Sequence, residues 1–216
     1  MQRGWLRISA FYAGLALLAV YMPLLHMGTH VPGAPTTDFY HFHWNFWWIR
    51  HALSNGLPVY ETAHVLAPFT SNLALHTLTP FWFPLWAMLE PLTDTVTAMT
   101  GVFIAAFFLN GVLFHLWLHD EGVPHGLALV GGVMLMFSPM MFNALYWTNI
   151  NLMNWFWLPL LLLTWKRVVW GRSPGWAVVF ALALWAMVLS DLQYPLLLML
   201  VLVPYGLWTL WHAIDQ

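Results

Sequence analysis

The chain has 216 residues, of which 61% are hydrophobic and only 6% charged, with a formal net charge of −2. An ordinary soluble domain carries roughly 25% charged residues, so this composition excludes a water-soluble globule and specifies an integral membrane protein. The slight acidity and the lack of a basic run exclude nucleic-acid binding, and the absence of cysteine excludes disulfides and thiolate metal sites.

A helix needs about 20 apolar residues to cross hydrocarbon. The first such run, 8–25, follows Arg3 and Arg7 in the manner of a signal peptide. The bulky Met22-Pro23-Leu24-Leu25-His26 offers no small-residue cleavage site, so it reads as an uncleaved span. Next comes Thr37–Leu53, which gathers Asp38, three histidines, Arg50 and three tryptophans. Tryptophan favours the membrane interface because its ring is apolar and its N–H seeks a wet partner. Residues 39–54 read as an interfacial helix: Tyr40, Trp44, Trp47, Trp48 and His51 recur at helical spacing on one broad face, and His43, Phe46 and Arg50 share another. Asn55-Gly56 ends it and Pro58 prevents its return, while Thr37 or Asp38 can cap its start.

The segment 78–89, with Pro80 and Pro84, is too short to cross comfortably. Further spans are expected at 96–118, 126–145, 152–165, 176–189 and 196–211. Lys and Arg in short loops favour the cytoplasmic side. If 78–89 crossed, Lys166, Arg167 and Arg172 would fall outside. If it stays in the outer loop as a re-entrant or interfacial piece, they join Arg3 and Arg7 inside and leave only Arg50 outside. The expected fold is therefore an all-α polytopic transmembrane bundle in one membrane domain, 1–216. It has about six spans, both termini cytoplasmic, and a large outer loop, 27–95, in a bacterial inner membrane. Met134, Met136, Met140, Met141 and Met153 read as packing fillers.

That topology puts the polar residues outside, including Asp38, His41, His43, Arg50, His51, Glu61, His64, His76, Asn149, Asn151, Asp191 and Gln193. Asp38 has two readings: a helix cap, or a general base taking a proton from an acceptor hydroxyl. Arg50 fits phosphate through its planar fork, or snorkels to the interface. His41 and His43, two apart on a helix, point apart and cannot chelate together. His43 and His51 are two turns apart, too far for one ion on a straight helix, and no metal site is expected. Asp191, between two apolar runs, is either functional or part of a turn before Pro195. The asparagines of Trp147–Trp157, Asn149 among them, either bind sugar hydroxyls or are simply solvated. The expected substrate-binding set is Arg50, His43, His51, Asn149 and Asp191.

Asp38, the helix with Trp44, Trp47, Trp48 and Arg50, and then Gly56, Pro58 and Thr62 together resemble the N-terminal part of bacterial GT-C-type polytopic glycosyltransferases that use polyprenyl-phosphate sugars. Residues 68–77, ending Leu73-Ala74-Leu75-His76-Thr77, resemble that family's P-x-G-x-x-LALHT loop. Phe137-Ser138-Pro139 and Trp157-Leu158-Pro159-Leu160 fall where it shows FSP and WLPL. The chain departs from the pattern at Thr70, where glycine is common, and at Asn149, where a histidine is expected. The resemblance covers most of the chain in order and implies that Asp38 is the general base and that a polyprenyl-phosphate sugar is the donor. Enzymes of that type have more spans, so the chain reads as a truncated copy. A different expectation follows from this shortness: a non-catalytic accessory subunit of a larger membrane complex, contacting lipids, neighbouring subunits or pigments. In it His26, His30, His115 or His212 would ligate a porphyrin-type metal through one imidazole nitrogen.

Overall fold

The computed structural model describes residues 2–33, 37–171 and 173–214. It is an all-α bundle. In chain order the helices are α1 (Gln2–Ala19), α2 (Tyr21–Leu25), α3 (Phe39–Asn55), α4 (Phe83–Leu89), α5 (Thr95–Asp120), α6 (His125–Met136), α7 (Pro139–Trp147), α8 (Trp157–Gly171), α9 (Pro174–Ser190) and α10 (Gln193–Ile214). The described strands are a two-residue antiparallel pair, Glu61–Thr62 with Ser71–Asn72, in the long segment between α3 and α4.

Three stretches, Thr95–Asp120, His125–Trp147 and Gln193–Ala213, are long and apolar enough to cross a membrane, while Gly4–Ala19 and Pro174–Ser190 are apolar but shorter. Outward-facing Leu196, Leu200, Leu207 and Trp211 on α10, with Leu182 and Trp185 on α9, leave the bundle with an apolar exterior, the surface a bilayer would solvate.

Helix α5 is the hub: it packs against α1, α4, α6 and α8, and α8 carries α9 and α10 on its other side. Close approach here depends on small residues. A Cβ on Gly132 of α6 would lie 2.2 Å from the Tyr12 hydroxyl and 2.6 Å from the Gly111 carbonyl oxygen. Tyr12 itself is fully buried, donates to the Leu129 carbonyl (3.1 Å) and meets His115 Nδ1 (3.2 Å).

Several expected boundaries move, each for a local reason. The first span is two helices rather than one, broken at Val20, because Pro23 has no N–H to give the preceding turn. The span at 126–145 is likewise divided into α6 and α7 at Phe137-Ser138, where Pro139 opens α7 and the Ser138 hydroxyl accepts from Met141 N–H (3.4 Å). The span at 152–165 is displaced. Residues Ile150–Met153 form a 3₁₀ turn and the helix starts only at Trp157. Asn154 diverts the backbone there: its amide donates to the Asn151 carbonyl (3.0 Å) and accepts from Trp82 Nε1 (2.8 Å). Lys166 and Arg167 therefore lie on α8 rather than in a loop, and Arg172 falls outside the described residues. By contrast α3 runs as expected and stops at Gly56, whose left-handed backbone (φ 65°) closes the helix onto Ala52. Segment 78–89 yields only the seven-residue α4.

The direction of the chain alternates through α1, α5, α6–α7, α8, α9 and α10, which sorts the ends. One end joins the start of α3, the end of α7 and the α9–α10 junction. Asp38 N–H donates to the Trp147 carbonyl (3.1 Å), and Phe81 N–H to the Leu189 carbonyl (3.1 Å). The other end joins the C-terminal parts of α5 and α8 through Lys166 and Asp120 (3.2 Å).

Candidate functional site

Asp38 occupies the N-cap position of α3, yet its side chain makes no capping hydrogen bond. The capping reading fails because the carboxylate turns toward the end of α7. Oriented with its nitrogen toward the two acceptors beside it, the Asn149 amide donates to Asp38 Oδ2 (2.5 Å) and to the Trp147 carbonyl (3.3 Å). The exposed carboxylate opens on a cavity of about 210 Å³ lined by Asp38, His41, Phe42, Thr77, Asn149 and Asn151. The loop before α3 locks this corner: a Cβ on Gly33 (φ 96°) would lie 2.7 Å from the Tyr146 carbonyl oxygen and 2.9 Å from Thr148 Cγ2.

The facing wall comes from the segment before α4. Asn45 of α3 donates to the Thr77 carbonyl (2.7 Å), so its own oxygen receives the His76 Nε2–H (3.0 Å). That fixes the neutral His76 as the Nε2–H tautomer, with Nδ1 bare. Burial, and secondarily the neighbouring His41, hold His76 below the ordinary histidine value of 6.5. The two imidazole centroids are 4.7 Å apart. Behind them Asp191 is 6% exposed, and both its oxygens are engaged: Oδ2 accepts from the Asn151 amide (2.8 Å) and Oδ1 from Gln193 N–H (2.7 Å). Asp191 thus forms the expected turn and also aims Asn151 at the Asp38 cavity.

Both non-glycine residues with left-handed backbone among those described, Thr79 (φ 50°) and Thr148 (φ 57°), border this region. Both are β-branched, for which φ > 0 is a true outlier, and each conformation costs about 1–3 kcal/mol. Such strain concentrates where a fold holds a site in shape.

The remaining expected site residues lie on other faces of α3. Arg50 pairs with Glu90 (Nη1–Oε2 2.8 Å) and stacks over Trp86 at 4.4 Å from the ring centroid, so it neither snorkels free nor reaches Asp38. The Thr95 hydroxyl lies 2.8 Å from His43 Nδ1. Burial pulls the His43 pKa down against the opposing pull of Glu90. His51 stacks on Trp47 (5.2 Å) and adjoins His64 (5.7 Å). The structure therefore divides the expected set: Asn149 and Asp191 join Asp38, whereas His43, Arg50 and His51 do not. It adds His41, Asn45, His76, Thr77 and Asn151. Of these, His41 had a usable signal, since it stands three residues after Asp38 on the same helical face.

The histidines considered for porphyrin are scattered. His115 is buried against Tyr12 with Nε2 unpartnered, His26 and His30 adjoin each other (5.1 Å), and His212 Nδ1 lies 2.8 Å from the Trp208 carbonyl oxygen of its own helix. Among the described residues no three His, Asp or Glu side chains are placed to hold a metal ion.

No protein-family profile, curated protein or solved structure matches this chain. The chemistry of the site is therefore read from its side chains. It offers an exposed carboxylate, amides that donate and accept, and two imidazoles. Such groups suit hydrogen bonding with hydroxyls.

Proposed function

We propose that the Asp38 end of the bundle is a glycosyl-transfer site on the outer face of a bacterial inner membrane, using a polyprenyl-phosphate sugar. The observation that carries this reading is the Asp38 carboxylate. It stands at the head of a helix without capping it, and is steered instead by Asn149 into a polar cavity. A side chain that serves structure alone would have taken the free N–H groups of α3.

The orientation follows from charge. Lys166 and Arg167 occupy the end opposite Asp38, and positive residues near span ends favour the cytoplasm. Both termini then lie inside, with six crossings. Apolar flanks of α9 and α10 give a lipid-borne donor a path to the cavity along the bilayer.

The proton balance is simple. An acceptor hydroxyl gives its proton to Asp38, its oxygen attacks the anomeric carbon, and the bond from that carbon to the phosphate oxygen breaks, releasing polyprenyl phosphate. Asn149 and Asn151 orient sugar hydroxyls, and beside His41 the neutral His76 accepts or donates without adding charge. The test is transfer of a radiolabelled sugar from polyprenyl phosphate in vesicles containing the whole chain. Wild type should turn over and Asp38→Asn should not. Undiminished turnover by Asp38→Asn removes Asp38 as the base.

A further inference from the structure

A second cavity, of about 330 Å³, adjoins the one at Asp38. Tyr60, His76, Thr79, Asp191 and Gln193 line it, with Leu75 and Leu192 as apolar patches. Three features join the two. Thr77 lines both. His41 of the smaller lies against His76 of the larger, with ring centroids 4.7 Å apart. Asn151 of the smaller donates to Asp191 of the larger (2.8 Å).

The lining narrows the ligand class. Neither cavity is lined by Lys or Arg, and each contains a carboxylate, which disfavours an anion inside either one; in the proposed reaction only the donor's sugar enters, and its phosphate stays outside both. Both Asp191 oxygens already accept hydrogen bonds, and no metal-binding trio exists among the described residues, which disfavours a cation. Neutral groups that both donate and accept, set among leucine and tyrosine, suit a ligand with many hydroxyls and apolar ring faces. At about 210 Å³ the Asp38 cavity alone is smaller than the ~300–1,000 Å³ of usual ligand pockets, whereas the larger cavity reaches that range. The outlying backbone of Thr79 lies in the wall of the larger cavity.

We infer that the larger cavity is a second saccharide subsite, so that the site takes a chain of at least two sugar units across Thr77. This rests on the reading of the Asp38 cavity as a sugar site, but not on its being catalytic.

The test is equilibrium binding to the full chain in nanodiscs, followed by tryptophan fluorescence and calorimetry. The probes are the free mono-, di- and tetrasaccharides of glucose, mannose and galactose. For at least one sugar the disaccharide should bind tenfold or more tighter than the monosaccharide. Two variants act on the larger cavity: Ala74→Trp fills it and Gln193→Ala removes a polar lining group. Each should bring disaccharide affinity toward the monosaccharide value and leave the latter unchanged. Equal affinity of mono- and disaccharides, no binding of any of them, or a disaccharide indifferent to both variants overturns the inference. Asp38-dependent transfer without chain-length preference removes the second subsite alone. Chain-length preference without transfer keeps the subsite and removes the catalytic reading.

Discussion

At the Lys166 end of the bundle, carboxylates meet cations. Asp120 pairs with Lys166 (3.2 Å) and with Arg167, and Glu121 also reaches Lys166 (3.2 Å). At the Asp38 end, carboxylates meet amides: Asn149 serves Asp38, and Asn151 serves Asp191. The Arg50–Glu90 pair at this end lies on a different face of α3. A carboxylate tied to a cation is committed to holding helices together. One held by a neutral amide has no cation to pair with and can turn spare lone pairs to a ligand. On the proposed function, the difference is that between a fastening and a site.

The largest expected effect tests that contrast directly. Asp38→Asn should lower sugar transfer by about 10²–10⁴-fold, the usual contribution of a positioned general base, with an unchanged unfolding temperature in detergent. Asp120→Asn should do the reverse, leaving turnover within about twofold. Equal losses of activity from the two variants would erase the distinction between the ends. Next in size is Gly132→Ala, in the packing that holds α1, α5 and α6 together. Its methyl would meet the Tyr12 hydroxyl and the Gly111 carbonyl, and overpacking of this kind costs about 1–3 kcal/mol. Thermal unfolding in detergent should show the fall, and an unshifted midpoint would mean that α6 stands farther from α1.

Periodicity was a good guide to α3, α5, α9 and α10, because each is an uninterrupted apolar or amphipathic run with recognisable ends. It failed where one side chain redirects the backbone. Pro23 and Pro139 break runs whose hydropathy is continuous, and Asn154 delays α8 by bonding the Asn151 carbonyl. At the site, Asp38 could be singled out as a carboxylate after an apolar run. Its surroundings could not all be, since Thr77 and Asn151 line the same cavity from positions 39 and 113 residues away in the chain. Arg50 misled for the opposite reason. Its phosphate-binding shape was evident, but its engagement by Glu90 and Trp86 depends on α4 folding back onto α3.

Smaller effects separate fastening from site by stability alone. Asp120→Asn leaves Lys166 and Arg167 without their shared carboxylate, whose side chain is 12% exposed, while Arg167 is 48% exposed. The loss should be about 1 kcal/mol, between the near-zero worth of exposed pairs and the larger cost of breaking buried ones. Unfolding midpoints at low and high salt measure it. A loss that disappears in high salt would show that the pair is solvent-screened and not a fastening.

The smallest effect is one of pH. His76 is held below 6.5 in the folded chain, so the unfolded chain binds the more protons as pH falls through that value. Stability then rises with pH in that window. The His76 contribution is fully present above 6.5 and is lost as pH drops toward the folded value; His43, also depressed by burial, acts in the same direction. His76→Gln retains a side-chain N–H able to reach Asn45 and removes the titration. The drop in unfolding midpoint between about pH 7 and pH 5 should therefore shrink in the variant without vanishing, because His43 remains. A variant that loses as much stability to acid as wild type would show that His76 is wetter than its Asn45 bond and its burial indicate. The imidazole in the wall between the two cavities would then be charged through the part of that range below 6.5, and there the wall would attract anions instead of sugars.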